Sequence, residues 1–207
     1  MKKILLAETA GFCFGVDRAV KMVEKLLESN ERVYTLGPII HNPQLVKELE
    51  EKGAIIAKSI EDVPAGETLI ISSHGTGASV YSEAGKRGIN IIDATCPYVC
   101  KIHKIVKKAW EEGRLLLVAG DAGHTEIRGI IGHYPGESKV FKDESELRSL
   151  FLKKEFDVTC PITAISQTTF NQKIWDECKK ILKKVCTNLI VFDTICKATA
   201  ERQAEAS

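Results

Sequence analysis

The sequence of 207 residues lacks four features that would each point to a class of protein. Its charges balance, because 29 basic and 28 acidic residues leave a formal net charge of +1. We therefore expect neither nucleic acid nor a membrane surface as a partner, since both are usually bound through a basic excess. It also lacks a low-complexity segment and an apolar run long enough to cross a membrane. The start, MKKILLAETAGF, is too short an apolar stretch for a signal peptide, so we expect a cytoplasmic protein.

Cysteine, in contrast, is well represented, with seven residues. An odd number without a sign of secretion argues against a disulfide framework. In a reducing compartment, cysteines at helix N-termini are more often metal ligands or nucleophiles.

Three cysteines stand at equivalent places. Cys13, Cys96 and Cys196 each follow a short apolar stretch predicted as a strand, over residues 4–7, 89–92 and 189–192, and each precedes a predicted helix. Ligands bind at the carboxyl ends of strands in open α/β sheets, and a helix N-terminus is expected to lower the pKa of a thiol. Three thiolates without a fourth would leave an open position on a metal, which is typical of catalysis. The other four cysteines are predicted to be structural: Cys100, Cys160, Cys178 and Cys186.

The spacing of these cysteines from histidines indicates an internal repeat. Cys13 precedes His41 by 28 residues, and Cys96 precedes His124 by 28 residues. His74 follows a predicted strand in the far half of the first repeat, and its counterpart in the second repeat is Thr168. A third repeat begins around Cys196, and the sequence ends before a matching histidine.

Predicted strands and helices alternate along the chain, which is typical of an α/β fold with mainly parallel sheets and helices on both faces. We expect repeated α/β modules with pseudo-threefold symmetry. The first module covers residues 1–95 and the second covers residues 96–193. The third is incomplete and covers residues 194–207.

The histidines and one glutamate could carry chemistry at the same strand ends. His41, His74 and His124 can donate hydrogen bonds and carry charge, which together with helix N-termini suits a phosphate or a diphosphate. Glu126 occupies the place that Pro43 has in the first repeat, and it is a candidate acid or base. The two remaining histidines, at positions 103 and 133, have no comparable placement, and no role is predicted for them.

Five motifs resemble one enzyme family in the same order. They are GFCFGVDRA at 11–19, DATCPYV at 93–99, GHTEIRG at 123–129, SQTT at 166–169 and ICKATAERQ at 195–203. The chain resembles the 4-hydroxy-3-methylbut-2-enyl diphosphate reductases over residues 1–207. These are the iron–sulfur enzymes that end the methylerythritol phosphate route to isoprenoids, and they form isopentenyl and dimethylallyl diphosphate.

The resemblance implies a role for each candidate residue. Cys13, Cys96 and Cys196 would ligate a 4Fe–4S cluster that leaves one iron for the substrate. Three histidines would line the diphosphate pocket: His41, His74 and His124. Glu126 would supply protons with help from Thr168. The implied fold is three similar α/β modules around a central cavity, and the implied electron donor is ferredoxin or flavodoxin.

Two departures from the family pattern stand out. Thr125 replaces the usual proline, a small change that should not move Glu126. The family's third module carries a Ser-x-Asn motif and a further serine that hold the diphosphate, and these would fall after Ser207. We therefore expect weak substrate binding and an exposed face that favours self-association.

Two alternatives stay open from the sequence. One is a zinc-dependent hydrolase with thiolate and histidine ligands, which would be colourless. The other is an inactive, truncated module that binds phosphate. The absorbance of protein purified without oxygen distinguishes the zinc-dependent hydrolase from an iron–sulfur reductase. Activity relative to a complete homologue distinguishes the inactive module from the reductase.

Overall fold

The computed structural model describes residues 6–29 and 32–206. Within these ranges, short strands alternate with helices. The strands are β1 (Val33–Leu36), β2 (Ala54–Ala57), β3 (Thr68–Ile71), β4 (Asn90–Asp93), β5 (Leu115–Ala119), β6 (Ser138–Phe141), β7 (Pro161–Ser166) and β8 (Asn188–Val191). The helices are α1 (Phe14–Glu28), α2 (Pro43–Glu51), α3 (Ala78–Arg87), α4 (Pro97–Glu111), α5 (Thr125–Ile131), α6 (Glu144–Leu152), α7 (Gln172–Val185) and α8 (Lys197–Glu205).

The strands form two four-stranded sheets in which every pair is parallel. The first sheet has the order β2-β1-β3-β4, and the second repeats it as β6-β5-β7-β8. The predicted α/β class with repeated parallel sheets is confirmed. The boundaries of the three predicted modules stay a prediction. Half of the predicted strand over residues 4–7 lies outside the described residues, and residues 6 and 7 are not part of a strand.

Both faces of each sheet are covered by helices, which explains why the strands read as continuous apolar runs. In β5, Leu116 and Val118 pack in a cluster with α4 and α5. Their neighbours Leu117 and Ala119 pack on the other face with α6 and α7. The first sheet is covered by α1 and α2 on one face and by α3 on the other. No described helix is both long and apolar enough to cross a membrane.

Polar side chains and cysteines stand at the helix starts. Side-chain oxygens of Asn42, Asp143 and Asn171 accept backbone N–H bonds at 3.1, 2.9 and 3.1 Å, which fixes the first turns of α2, α6 and α7. The helices α1, α4 and α8 begin instead directly after Cys13, Cys96 and Cys196. The predicted strand-to-helix position is therefore confirmed for Cys96 and Cys196, and the helix start is confirmed for Cys13.

The strand order places a ligand site at the same point of both sheets. In each sheet the connections turn in opposite directions from two adjacent strands, β1 and β3 in the first and β5 and β7 in the second. Such a switch point leaves a crevice at the carboxyl ends of the two strands, where ligands bind in open α/β sheets. The loops after these four strands carry His41, His74, His124 and Thr168 in turn.

Candidate functional site

One cavity of about 300 Å³ brings together residues from both sheets and from α8. Most of the candidate residues line it: Cys13, His41, His74, Cys96, Glu126, Thr168 and Cys196. His124 is not one of the lining residues, but the centroid of its ring lies 5.2 Å from that of the His41 ring. Residues far apart in the sequence therefore meet at one place, as the repeat predicts.

Backbone hydrogen bonds tie two cysteines to the neighbouring loops. The N–H of Cys96 donates to the carbonyl oxygen of Ser73 at 3.0 Å, directly before His74. The N–H of Cys196 donates in the same way to the carbonyl oxygen of Thr168 at 3.0 Å. Each of these loops is thus held against a loop that carries another residue of the site.

Arg18 connects the first two cysteines, a role that no sequence pattern indicated. It lies on α1, one turn after Cys13, and its guanidinium donates to the carbonyl oxygens of Ala94 and Thr95, each at 3.2 Å. These carbonyls belong to the loop that leads to Cys96. The arginine therefore fixes the start of α1 relative to the start of α4.

The three cysteines of the site are not gathered for a single metal ion. A Cβ atom at Gly15 would lie 2.6 Å from Cys96 Sγ, so only glycine leaves room for this thiol to face α1. In residues 6–29 and 32–206, three ligand-type side chains have donor atoms within 4.8 Å of one another only at His41, His74 and His124. The three thiols are thus spread more widely than one tetrahedral ion requires, since Zn–S bonds of about 2.3 Å place sulfurs roughly 4 Å apart.

The expected low pKa of the Cys96 thiol is wrong for the free side chain. Burial raises its pKa, and the backbone N–H groups of Tyr98 and Val99 at the helix start only partly oppose this shift. The nearby Cys13 and Cys196 raise the pKa further. The sequence shows that Cys96 lies at a helix start, but it does not show the burial, whose effect on the pKa is larger. Metal binding would have to displace the proton. Two of the thiols predicted to be structural, Cys178 and Cys186, lie in the core of the second sheet.

The three histidines of the site form a compact cluster. Their ring centroids are 4.4 Å apart for His41 and His74, and 5.6 Å apart for His74 and His124. Burial lowers the pKa of His74 to about 4, and the charges of the other two rings contribute. Burial and His41 also lower the pKa of His124. His74 and His124 thus resist protonation until an anion lies beside them.

His124 also begins α5, a helix that the sequence analysis did not predict. Its Nδ1 accepts the backbone N–H of Glu126 at 3.1 Å, so the proton of the neutral ring must be on Nε2. Seven residues are too few for a clear helical periodicity, and histidine is an uncommon cap. The one sequence feature that could have indicated this helix is the acidic Glu126 in its first turn. The cap makes Nε2 of His124 a hydrogen-bond donor.

Glu126 is the buried acid of the site, with 2% of its surface exposed. The backbone N–H of Thr168 donates to its Oε1 at 2.7 Å, and the Thr168 hydroxyl donates to its Oε2 at 2.6 Å. Burial nevertheless raises the pKa of Glu126, although both hydrogen bonds lower it. This carboxyl group therefore keeps its proton to a higher pH than an exposed glutamate does.

Gln167 holds the two loops of this pair together, and sequence reasoning missed it. Its Oε1 accepts the N–H of Asp121 at 3.2 Å, while its Nε2 donates to the Thr169 hydroxyl at 2.9 Å. The loop after β5 is thereby fixed to the loop after β7.

Comparison with known proteins shows the family of this chain. The family model described as LytB protein matches residues 4–207. The chain belongs to the LytB family. A relative from Caldanaerobacter subterraneus subsp. tengcongensis, named 4-hydroxy-3-methylbut-2-enyl diphosphate reductase, is 40% identical over 99% of this chain and 70% of its own length. A relative of the same name from Clostridioides difficile is 37% identical over 98% of this chain and 72% of its own length.

Two solved structures share the fold of this LytB-family chain. One, described as (E)-4-hydroxy-3-methyl-but-2-enyl diphosphate reductase, the terminal enzyme of the non-mevalonate pathway, has a TM-score of 0.80 and 36% identity, over 98% of this chain and 71% of its own. The other is the E-1-hydroxy-2-methyl-but-2-enyl-4-diphosphate reductase from Plasmodium falciparum. It has a TM-score of 0.84 and 31% identity, over 94% of this chain and 61% of its own.

Proposed function

We propose that this chain catalyses the reductive dehydroxylation of 4-hydroxy-3-methylbut-2-enyl diphosphate to isopentenyl and dimethylallyl diphosphate. The observation that carries the proposal is the buried pair of Glu126 and Thr168 in the cavity that three cysteines line. A buried acid beside a cluster of thiols and imidazoles suits a reaction that consumes protons and electrons and acts on an anionic substrate. The names of the LytB relatives support the same substrate.

The reaction requires two electrons and two protons. The allylic C–O bond breaks, the hydroxyl oxygen leaves as water with one of the protons, and the other proton is added to carbon at either end of the allyl system. Cys13, Cys96 and Cys196 would hold a 4Fe–4S cluster that, when bound, supplies electrons one at a time and an open iron position for the hydroxyl oxygen. The electrons would come from a small carrier such as ferredoxin or flavodoxin.

The histidines would bind the diphosphate. The Nε2–H of His124 is fixed as a donor by its cap bond, and the buried, uncharged ring of His74 lies beside it. A diphosphate beside the ring of His74 would favour its protonated form and so bring in the positive charge that burial of this ring resists.

Glu126 would deliver the proton that the leaving oxygen needs. It keeps this proton because it is buried, and the Thr168 hydroxyl orients it. After the transfer, the carboxylate accepts both Thr168 hydrogen bonds, so the negative charge is stabilised where it forms.

A zinc-dependent hydrolase is the second candidate, and one observation favours it. The donor atoms of the three histidines lie within 4.8 Å of one another, which suits a divalent ion. The cap bond of His124 opposes it, because a ring that binds metal through Nε2 must carry its proton on Nδ1. The diphosphate site is the better account of the same three rings.

An exposed aromatic rim supports contact with another protein surface. Phe12, Phe14 and Tyr98 lie beside the cysteines and are 50%, 68% and 46% exposed. Apolar groups that stand together on a surface favour association. Self-association through this face is part of the proposal, and light scattering at increasing protein concentration tests it.

The test of the function is turnover by this polypeptide without oxygen, with reduced methyl viologen as the electron donor. We expect brown protein that contains iron and sulfide, and consumption of the diphosphate substrate with release of both isomers. Colourless protein that contains zinc and hydrolyses phosphate esters would establish the second candidate. Brown protein without turnover, beside an active complete homologue, would mean an inactive binding module.

A further inference from the structure

All five histidines of the chain gather in two adjacent layers. The front layer is the cluster of His41, His74 and His124 at the cavity. Behind it, His103 of α4 and His133 after α5 stack on each other, with ring centroids 4.0 Å apart and an angle of 27° between the planes. The proposed chemistry uses only the front layer.

The rear pair packs against the turn that follows His74. A Cβ atom at Gly75 would lie 2.7 Å from Cε1 of His103, so the ring presses directly on the backbone of this turn. Gly75 has a φ of +74°, which other residues rarely adopt, and the turn is therefore shaped for this contact. His103 and His133 thus stand where they can determine the place of His74.

His133 ties the same turn to the helix that begins at His124. Its ring Nε2 is 2.9 Å from the carbonyl oxygen of Thr76, so this nitrogen must be the donor. The N–H of Ala78 donates to the carbonyl oxygen of Gly132 at 3.1 Å, beside it. Because α5 runs from His124 to this point, one helix connects His124 to the turn that follows His74.

His103 contributes a stacked ring to this support and, among the described residues, no hydrogen bond from Nε2. The side chain is 8% exposed, and its Nε2 has no hydrogen-bond partner in the described part of the chain. Burial lowers the pKa of His103 to about 4, which keeps the ring uncharged and lets it stack on His133.

We propose that His103 and His133 are positioning residues that hold His74 and His124 at the separation a diphosphate requires. The inference rests on the proposed function of the front layer. His133 acts through its bond to Thr76, and His103 acts as a support for His133 and Gly75. Neither ring contacts the substrate.

The test compares two substitutions of His133 in the iron-loaded enzyme. H133F keeps a stacked ring and loses the N–H donor, whereas H133Q keeps a donor at a similar reach. We expect H133F to weaken the binding of inorganic diphosphate, measured by calorimetry, about 5- to 10-fold, which corresponds to one lost hydrogen bond. KM should rise by the same factor with little change in kcat or iron content, and H133Q should bind as the unsubstituted enzyme does.

Substitutions of His103 provide a second test if H133F does not fold. H103A removes the support under Gly75, and we expect weaker diphosphate binding, whereas H103F keeps the ring and should bind normally. The inference would be overturned if all four variants bound diphosphate as the unsubstituted enzyme does. It would also be overturned if H133F and H133Q lost the same affinity and H103A and H103F did as well. If the unsubstituted enzyme binds diphosphate without reductase turnover, the proposed function fails while these binding comparisons still decide the inference.

Discussion

The two sheets have the same strand order, yet the loops at their switch points carry different chemistry. Both contribute a histidine after the first central strand, His41 in one and His124 in the other. Two residues later the first has Pro43 and the second has Glu126. After the next central strand, the first has His74 and the second has Thr168. The first sheet thus presents imidazoles alone, and the second adds an acid with a hydroxyl partner.

Burial acts on both sides of the site, with opposite effects on the pKa. It lowers the pKa of His74 and raises the pKa of Glu126, because in each case it favours the uncharged form. The first side is therefore ready to take up a proton when an anion binds, and the second is ready to give one up. A repeated scaffold with a few different loop residues is enough to separate binding from proton transfer.

Both repeats have a cysteine at the start of their first helix, and substitution of either cysteine should have the same effect. We expect this effect to be the largest of those tested. Cys13→Ser and Cys96→Ser should each remove most of the iron and abolish turnover, because each takes away one thiolate of three. Iron and sulfide analysis after purification without oxygen measures this. Cys178→Ser is the control, since that thiol is buried in the core of the second sheet. Full iron retention in Cys96→Ser would contradict the assignment of the cysteines as ligands of the cluster.

The two repeats differ most at Glu126, which occupies the place of Pro43 in the first repeat. Glu126→Gln keeps the shape of the side chain and removes its proton, so turnover should fall about 10²–10⁴-fold, the usual contribution of a general acid. Iron content and the affinity for inorganic diphosphate should not change, because the histidines and cysteines are untouched. Steady-state turnover with reduced methyl viologen measures the loss. Near-normal turnover would show that the protons come from elsewhere.

Removal of the hydroxyl of Thr168 should give a smaller effect. Thr168→Val leaves the backbone N–H bond to Glu126 and removes the side-chain bond, so turnover should fall roughly tenfold. In the unsubstituted protein the Thr168 hydroxyl lowers the pKa of Glu126, so this pKa should be higher in the valine variant. The pH at which activity declines should therefore also be higher in the variant. Thr168→Ser keeps a hydroxyl and should restore both. An unchanged pH profile in the valine variant would separate Thr168 from the proton transfer.

The mildest test concerns His74. Its pKa is about 4 in the free protein, and a bound diphosphate should raise it, so the complex holds more protons. Affinity for inorganic diphosphate should therefore increase as the pH falls. Calorimetry in two buffers with different ionisation enthalpies measures the proton uptake. His74→Gln should take up fewer protons, and equal uptake would contradict the assignment.

The sequence predicts what depends on local pattern and spacing. The alternation of strands and helices, the helix starts at Cys13, Cys96 and Cys196, and the equal spacing to the histidines could be read directly. Effects of burial could not, which is why the pKa shift expected for Cys96 is wrong. Helix α5 was missed because its cap is a histidine and it has only seven residues. His103 and His133 received no role because their contacts join elements far apart in the chain.

The hydrogen bond from Cys96 to Ser73 has a consequence for motion. The Cys96 amide begins a helix that packs on the second sheet, while its acceptor lies in the first sheet's loop. This amide can exchange its hydrogen with solvent only when the two loops separate. The Cys196 amide reports in the same way on the loop that carries Thr168. Hydrogen–deuterium exchange at these two amides would therefore time the opening of the cavity on each side separately.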